Sequence, residues 1–118
     1  MLQLENISLQ LAKDQQIVLD QINFAVADNQ IGCLLGPSGC GKTTMLRLIA
    51  GFLSPSRGRL SLAGQVLAEI QNGQLKTHKP PEKRGIGMLF QDFALFPHLS
   101  VYDNIAFGLQ HLKSPVRA

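Results

Sequence analysis

Cysteine is scarce in this chain of 118 residues, which has only Cys33 and Cys40. A small secreted domain held by disulfides would use more, and neither thiol has partners at zinc-ligand spacing, so reduced cysteines are expected. Long uncharged runs are missing too. The longest stretch without Asp, Glu, Lys or Arg is the thirteen residues from Asn29 to Gly41, short of the roughly twenty apolar residues of a bilayer-spanning helix. The start, Met1-Leu2-Gln3-Leu4-Glu5, lacks the basic segment and apolar core of a secretory signal and reads as the start of a cytosolic protein. Charge of one sign is not concentrated either. Eleven Lys and Arg against eight Asp and Glu leave +3 with no long block, so no footprint for nucleic acid is present. No internal repeat is visible. What remains is 45% apolar residues, too many for a disordered chain and enough for one domain at most.

Along the chain, Leu2, Leu4, Ile7, Leu9 and Leu11 nearly alternate with polar residues, with one slip at Glu5-Asn6 that suggests a bulge. Ile17 to Leu19 and Ile22, Phe24, Val26 continue the period of two, so the N-terminal third predicts antiparallel strands with Phe24 in the core. The pattern changes at Ile31 to Leu35, an apolar run without alternation, expected as a strand covered on both faces in a parallel sheet. Gly36 to Gly41 breaks it. Met45, Leu46, Ile49 and Ala50 then stand at helical spacing, and Gly51 sits where a left-handed C-terminal cap is wanted. Arg59 to Leu62 predicts a short strand before a turn at Ala63-Gly64-Gln65, Ala68 to Arg84 an exposed polar insertion, and Ile86 to Phe90 another short apolar strand. Gln91 to Leu99 predicts a loop carrying Phe93, Leu95, Phe96 and Pro97. Ser100 followed by Asp103 predicts a capped helix start into Tyr102 to Phe107.

Gly36 to Thr43 fits G-x-x-x-x-G-K-[ST], a pattern that arises by chance in under about 1% of chains this length. Between a strand and a helix, the backbone N–H groups of such a loop and the helix N-terminus converge on one point and can hold phosphate oxygens. Gly36, Gly39 and Gly41 allow the backbone to approach a ligand, with Pro37, Ser38, Cys40 and Thr44 completing the cradle. Lys42 is placed to neutralise the β and γ phosphates of ATP, and Thr43 offers its hydroxyl to Mg2+. An ordinary glycine loop is the alternative. It would leave Lys42 as a cation opposing the helix dipole with no anion to explain it.

The words LLGPSGCGKTTMLRLIAGF and, some thirty residues on, GIGMLFQDFALFPHLSVYDNIAFGL resemble the ATP-binding subunit of an ATP-binding cassette importer over nearly the whole chain. PPEKRGIGMLFQD and ALFPHLSVYDNIAFGL are similar to the ferric-iron and polyamine type. The resemblance implies an α/β P-loop NTPase of ATP-binding cassette type, with an antiparallel β N-terminal part and a truncated parallel-sheet core. It implies that Gln91 is the Q-loop glutamine, which contacts magnesium and the attacking water, and that Lys42 and Gln91 serve hydrolysis. It also implies that the loop from Gln91 to Leu99 meets membrane-spanning permease subunits. A second ATP-binding subunit would complete a homodimer, peripheral on the cytoplasmic face of the inner membrane. Import of ferric iron is one expected task, with polyamine, sulfate or sugar import, or a catalytically incomplete nucleotide-binding fragment, as alternatives. A small-molecule kinase also uses this loop, but would lack the antiparallel N-terminal strands and the FQDFALFPH segment.

Two departures from the family pattern stand out. Ala12 to Val18 holds no aromatic residue where members usually place a ring on the adenine, leaving the aliphatic parts of Lys13 or Ile17 for that contact. The family's LSGGQ signature, its Walker B strand ending in carboxylates and its switch histidine do not occur among the 118 residues, so residues 1–118 read as the N-terminal part of the domain, inactive in hydrolysis when alone and poorly stable. His78, His98 and His111 read as solvated residues without a catalytic role.

Overall fold

The computed structural model describes residues 1–11, 16–37, 39–90 and 95–109. The chain divides into two units, residues 1–87 and 88–118. The first is built on a five-stranded sheet of β1 (Leu2–Gln10), β2 (Ile17–Val26), β3 (Arg57–Leu62), β4 (Gln65–Gln71) and β5 (Gln74–His78). Its spatial order is β2-β1-β3-β4-β5, every neighbouring pair antiparallel. The alternation of β1 puts Leu4, Ile7 and Leu9 on the buried face, as expected. The slip at Glu5-Asn6 is a bulge: the register with β2 shifts between Leu4 and Ile7, and Asn6 adopts φ 52°. Two amide side chains stitch it, because the Asn6 N–H donates to Asn23 Oδ1 (2.9 Å) and Asn23 Nδ2 donates to Asn6 Oδ1 (3.2 Å).

Helix α1 (Lys42–Ala50) lies on the buried face. Met45 and Leu48 join Leu4, Ile7, Leu9, Leu19, Leu60, Leu67 and Ala68 in one core, with Phe24 packed partly buried against it. Leu46, expected on the same face, is exposed instead. At nine residues the helix is too short to be stable alone, so this packing maintains it.

The segment from Ala68 to Arg84 is not the exposed insertion its polarity predicted. Its first part completes β4 and forms β5, joined by Asn72 and Gly73 with φ of 52° and 75°. Positive φ at both central residues gives the tight hairpin turn whose twist suits antiparallel strands. Leu67 and Ala68 are in the core, His78 is half-buried on β5, and Arg84 is only 4% exposed. The polar composition reflects strands with one wet face, not a segment without structure.

Two expected strands are not formed. Ile31 to Leu35 and Ile86 to Phe90 enter no ladder among the described residues, and Ile31 and Leu35 are 95% and 92% exposed. An apolar run becomes a strand only where it pairs its N–H and C=O groups with a partner, and no strand of the described sheet pairs with either run.

In the second unit, α2 (Val101–Ala106) starts as the capping pattern predicted. Ser100 Oγ accepts the Asp103 N–H (3.1 Å) and donates to Asp103 Oδ2 (3.0 Å). Asn104 Nδ2 donates to the carbonyls of Phe96, Leu99 and Ser100, and its Oδ1 accepts the Phe96 N–H, which fastens the preceding turn to the helix. No helix among the described residues is long and apolar enough to cross a membrane.

Candidate functional site

Residues 36–41 lead into the N-terminus of α1, the loop-to-helix half of the predicted strand, loop and helix, and Gly36, Pro37, Gly39 and Cys40 are exposed. The loop curls back on itself. The Cys40 N–H donates to the Pro37 carbonyl (3.3 Å), and Lys42 Nζ donates to the carbonyls of Gly36 and, at 3.3 Å, Pro37. The ammonium of Lys42 thus lies across the loop. Gly41, the N-cap, has φ 96°, and a β-carbon there would meet Leu19 Cδ2 at 3.1 Å and the Val18 carbonyl oxygen at 3.3 Å. A side chain at this position would both strain the backbone and push the helix start off β2.

The amide end of α1 has the properties of an anion site. It carries no side-chain cap and no acid in its first turn. The orphan N–H groups and the positive end of the helix dipole are therefore open to an external anion. Thr43 is exposed and Thr44 half-buried on that turn. Ser38 and Gln91, both named from the sequence, lie outside the described residues, as do Lys13 and Phe93. Of the loop between Gln91 and Leu99, Leu95, Phe96 and Pro97 are described and exposed. Among the described residues, no group of three or more His, Cys, Asp or Glu is arranged to hold a metal ion.

A cavity of about 650 Å³ lies elsewhere, walled by Phe24, Val26, Leu34, Leu46, Ile49 and Leu62. Its lining is mostly hydrocarbon and includes the carboxylate of Asp28, which suits no polyphosphate.

The carbonyl end of α1 is fixed by a residue that sequence reasoning missed. Gly51 closes the helix at φ 103°, its N–H donating to the Arg47 (3.0 Å) and Leu48 (3.2 Å) carbonyls. Arg84 adds further donors, sharing the Leu48 carbonyl with Gly51. Nη1 donates to Leu48 O (3.1 Å) and Ile49 O (3.0 Å), Nε to Lys79 O (2.7 Å), and Nη2 to Leu67 O and His78 Nδ1, both at 3.4 Å. A guanidinium has donors only, so in this contact Nδ1 of His78 is placed as the acceptor. Burial lowers the pKa of Arg84 from the ordinary guanidinium value, yet it remains a cation at neutral pH, at the helix end where a positive charge is favourable by about 0.3–2 kcal/mol. His78, expected as a solvated residue, is a partner in this cluster. The spacing of Gly51 and Arg84 offers no motif, and only their meeting in space makes the pair visible.

A sequence profile of the family described as "ABC transporter" matches residues 19–118. The spermidine/putrescine import ATP-binding protein PotA of Marinobacter nauticus is 45% identical over 115 residues, 98% of this chain and 28% of that protein. PotA of Ruegeria pomeroyi is 50% identical over 97 residues, 82% of this chain and 24% of that protein. The chain therefore spans about a quarter of the length of these relatives. Among solved structures, the dimeric post-hydrolysis state of the ATP-binding cassette MJ0796 bound to ADP and Pi superposes with a TM-score of 0.76 at 23% identity, covering 99% of this chain and 52% of that one. That likeness shows the fold, a P-loop NTPase of the ATP-binding cassette type with an antiparallel N-terminal sheet. A bacterial Atm1-family ABC exporter with ATP bound gives a TM-score of 0.67 at 28% identity, covering 91% of this chain and 17% of that one. With the phosphate-type loop, the sheet and the profile over residues 19–118 in agreement, the chain belongs to the ABC transporter family.

Proposed function

We propose that residues 1–118 are the N-terminal part of the ATP-binding domain of an importer, and that the whole subunit hydrolyses ATP to drive polyamine uptake. One observation carries the reading. The loop at residues 36–43 meets the uncapped amide end of α1 with Lys42 folded across it, a donor set with no acid to repel a phosphate chain. The residues fit a nucleoside triphosphate. Gly36 to Thr44 would wrap its phosphates with backbone N–H groups, and Lys42 would exchange the Gly36 and Pro37 carbonyls for β and γ phosphate oxygens. Once covered and water-poor, those donors would stabilise charge on the transferred phosphoryl group. Magnesium, held by the Thr43 hydroxyl and Gln91, would supply further charge neutralisation.

The relatives described above are named for spermidine and putrescine, which favours a polyamine over ferric iron as cargo. By the same analogy, the partners are permease subunits reached through Gln91 to Leu99 and a second ATP-binding subunit. The site would be peripheral, on the cytoplasmic face of the membrane.

The test is Lys42→Ala in the whole subunit. ATP turnover should fall about 100-fold or more, with Thr43→Ala losing magnesium-dependent activity. Near-normal hydrolysis by the Lys42 variant would refute the assignment. The Walker B carboxylates do not occur among the 118 residues, so in this polypeptide binding of ATP without turnover is expected.

A further inference from the structure

The guanidinium of Arg84 takes no part in the phosphate loop, yet it grips the helix that begins there. It is the one buried charged side chain among the described residues, and its donors reach two carbonyls at the end of α1 and three acceptors on β4, β5 and the turn that follows. The opposite end of α1 has no side chain holding it. A helix of nine residues is about 13 Å long and marginal by itself, so the direction of its amide end depends on how firmly its other end is held. Gly51 makes the grip specific. A β-carbon there would sit 2.8 Å from Arg84 Nε and 3.1 Å from Cζ, so the cap was left without a side chain where the guanidinium enters.

We propose that Arg84 is a positioning residue for phosphate binding, acting through α1: by clamping the carbonyl end of the helix to the β4–β5 layer, it keeps the amide end aimed at the ligand. The proposal rests on the phosphate-loop reading and adds to it a second point of control remote in sequence. Lysine is a poor substitute, since a single ammonium cannot satisfy acceptors spread around a planar fork. Linkage requires the effect to run both ways, so an anion on the loop must tighten the Arg84 clamp.

The experiment uses the whole ATP-binding subunit, with inorganic tripolyphosphate and Mg·ATP as probes, at 10 °C. Arg84→Lys, shown to be folded by circular dichroism, should bind tripolyphosphate about 10-fold more weakly and show a similar rise in KM for ATP, with kcat within about 2-fold. This split marks an interaction shared by ground and transition states. Arg84→Ala should regain part of the lost affinity when millimolar ethylguanidinium is added. A folded Arg84→Lys protein with a lower Tm but wild-type affinity and KM would overturn the proposal, because a merely structural residue moves only the first. Should neither variant fold, hydrogen exchange at Arg84 Nε–H in the wild-type subunit decides: about 5-fold slowing on saturation with tripolyphosphate supports the clamp, and no change overturns it. The two readings fail separately. A wild-type subunit that binds neither probe overturns the phosphate-loop reading itself, whereas binding that depends on Lys42 but is indifferent to Arg84 overturns only the clamp.

Discussion

At Gly51 one missing β-carbon serves two purposes. The backbone needs φ 103° to end α1, and the space a side chain would fill is taken by Arg84 and by the backbone nitrogen of Pro81. Gly51→Ala in the whole subunit should therefore cost about 1–3 kcal/mol for the left-handed conformation, with a further loss from the displaced guanidinium, measured by urea unfolding. A change below about 0.5 kcal/mol would contradict this account. The two halves of the arrangement were unequally legible in the sequence. Gly51 could be named because a helix cap is set by residues a few positions away. Arg84 could not, because its acceptors Leu48 and Ile49 lie 36 and 35 residues earlier and nothing local announces them. The same distinction applies at the loop. Gly36 to Thr43 is a contiguous motif and was readable at once, whereas the folding of Lys42 onto the Gly36 carbonyl belongs to the structure alone.

Elements were legible where a strand alternates, and less so where it is polar or continuously apolar. The β4–β5 hairpin carried its own signal in Asn72-Gly73, the dipeptide that favours positive φ at both turn positions, but the polar residues around it masked the strands. Ile31 to Leu35 failed in the opposite direction. Its composition suits a covered strand, but a strand is a relation between two segments, and composition describes only one. Position in the sheet also sets how much each element contributes. Leu60 lies fully buried on β3, between β1 and β4, whereas Leu75 is exposed on the edge strand β5. Leu60→Ala should destabilise the first unit by about 2–5 kcal/mol through lost burial and a residual cavity. Leu75→Ala should change it by less than about 0.5 kcal/mol. Comparable effects in thermal or urea unfolding would mean that the sheet order is wrong.

For the molecule as a whole, surface chemistry matters more than the count of strands. Ile31 and Leu35 in the first unit are almost completely exposed, and Val101 and Ile105, on one face of α2 in the second, are 78% and 79% exposed. A monomeric soluble protein rarely leaves so many large apolar side chains uncovered on short contiguous segments, so these are contact surfaces. Repulsion between copies is weak, since a net charge of +3 is too small to keep such surfaces apart at the ionic strength of a cell, where charges are screened beyond about 8 Å. The 118-residue polypeptide should accordingly self-associate. Sedimentation should show a mean mass that rises with concentration in the micromolar range. Ile31→Lys with Leu35→Lys should lower that association without lowering the stability of the sheet, because neither side chain contributes to the core. A monodisperse monomer at about 100 μM, well inside the micromolar-to-millimolar range where exposed apolar surface drives aggregation, would show that residues 31–35 are covered in solution. In that event the segment would have found a strand partner within the chain, and the parallel core expected from its composition would exist after all.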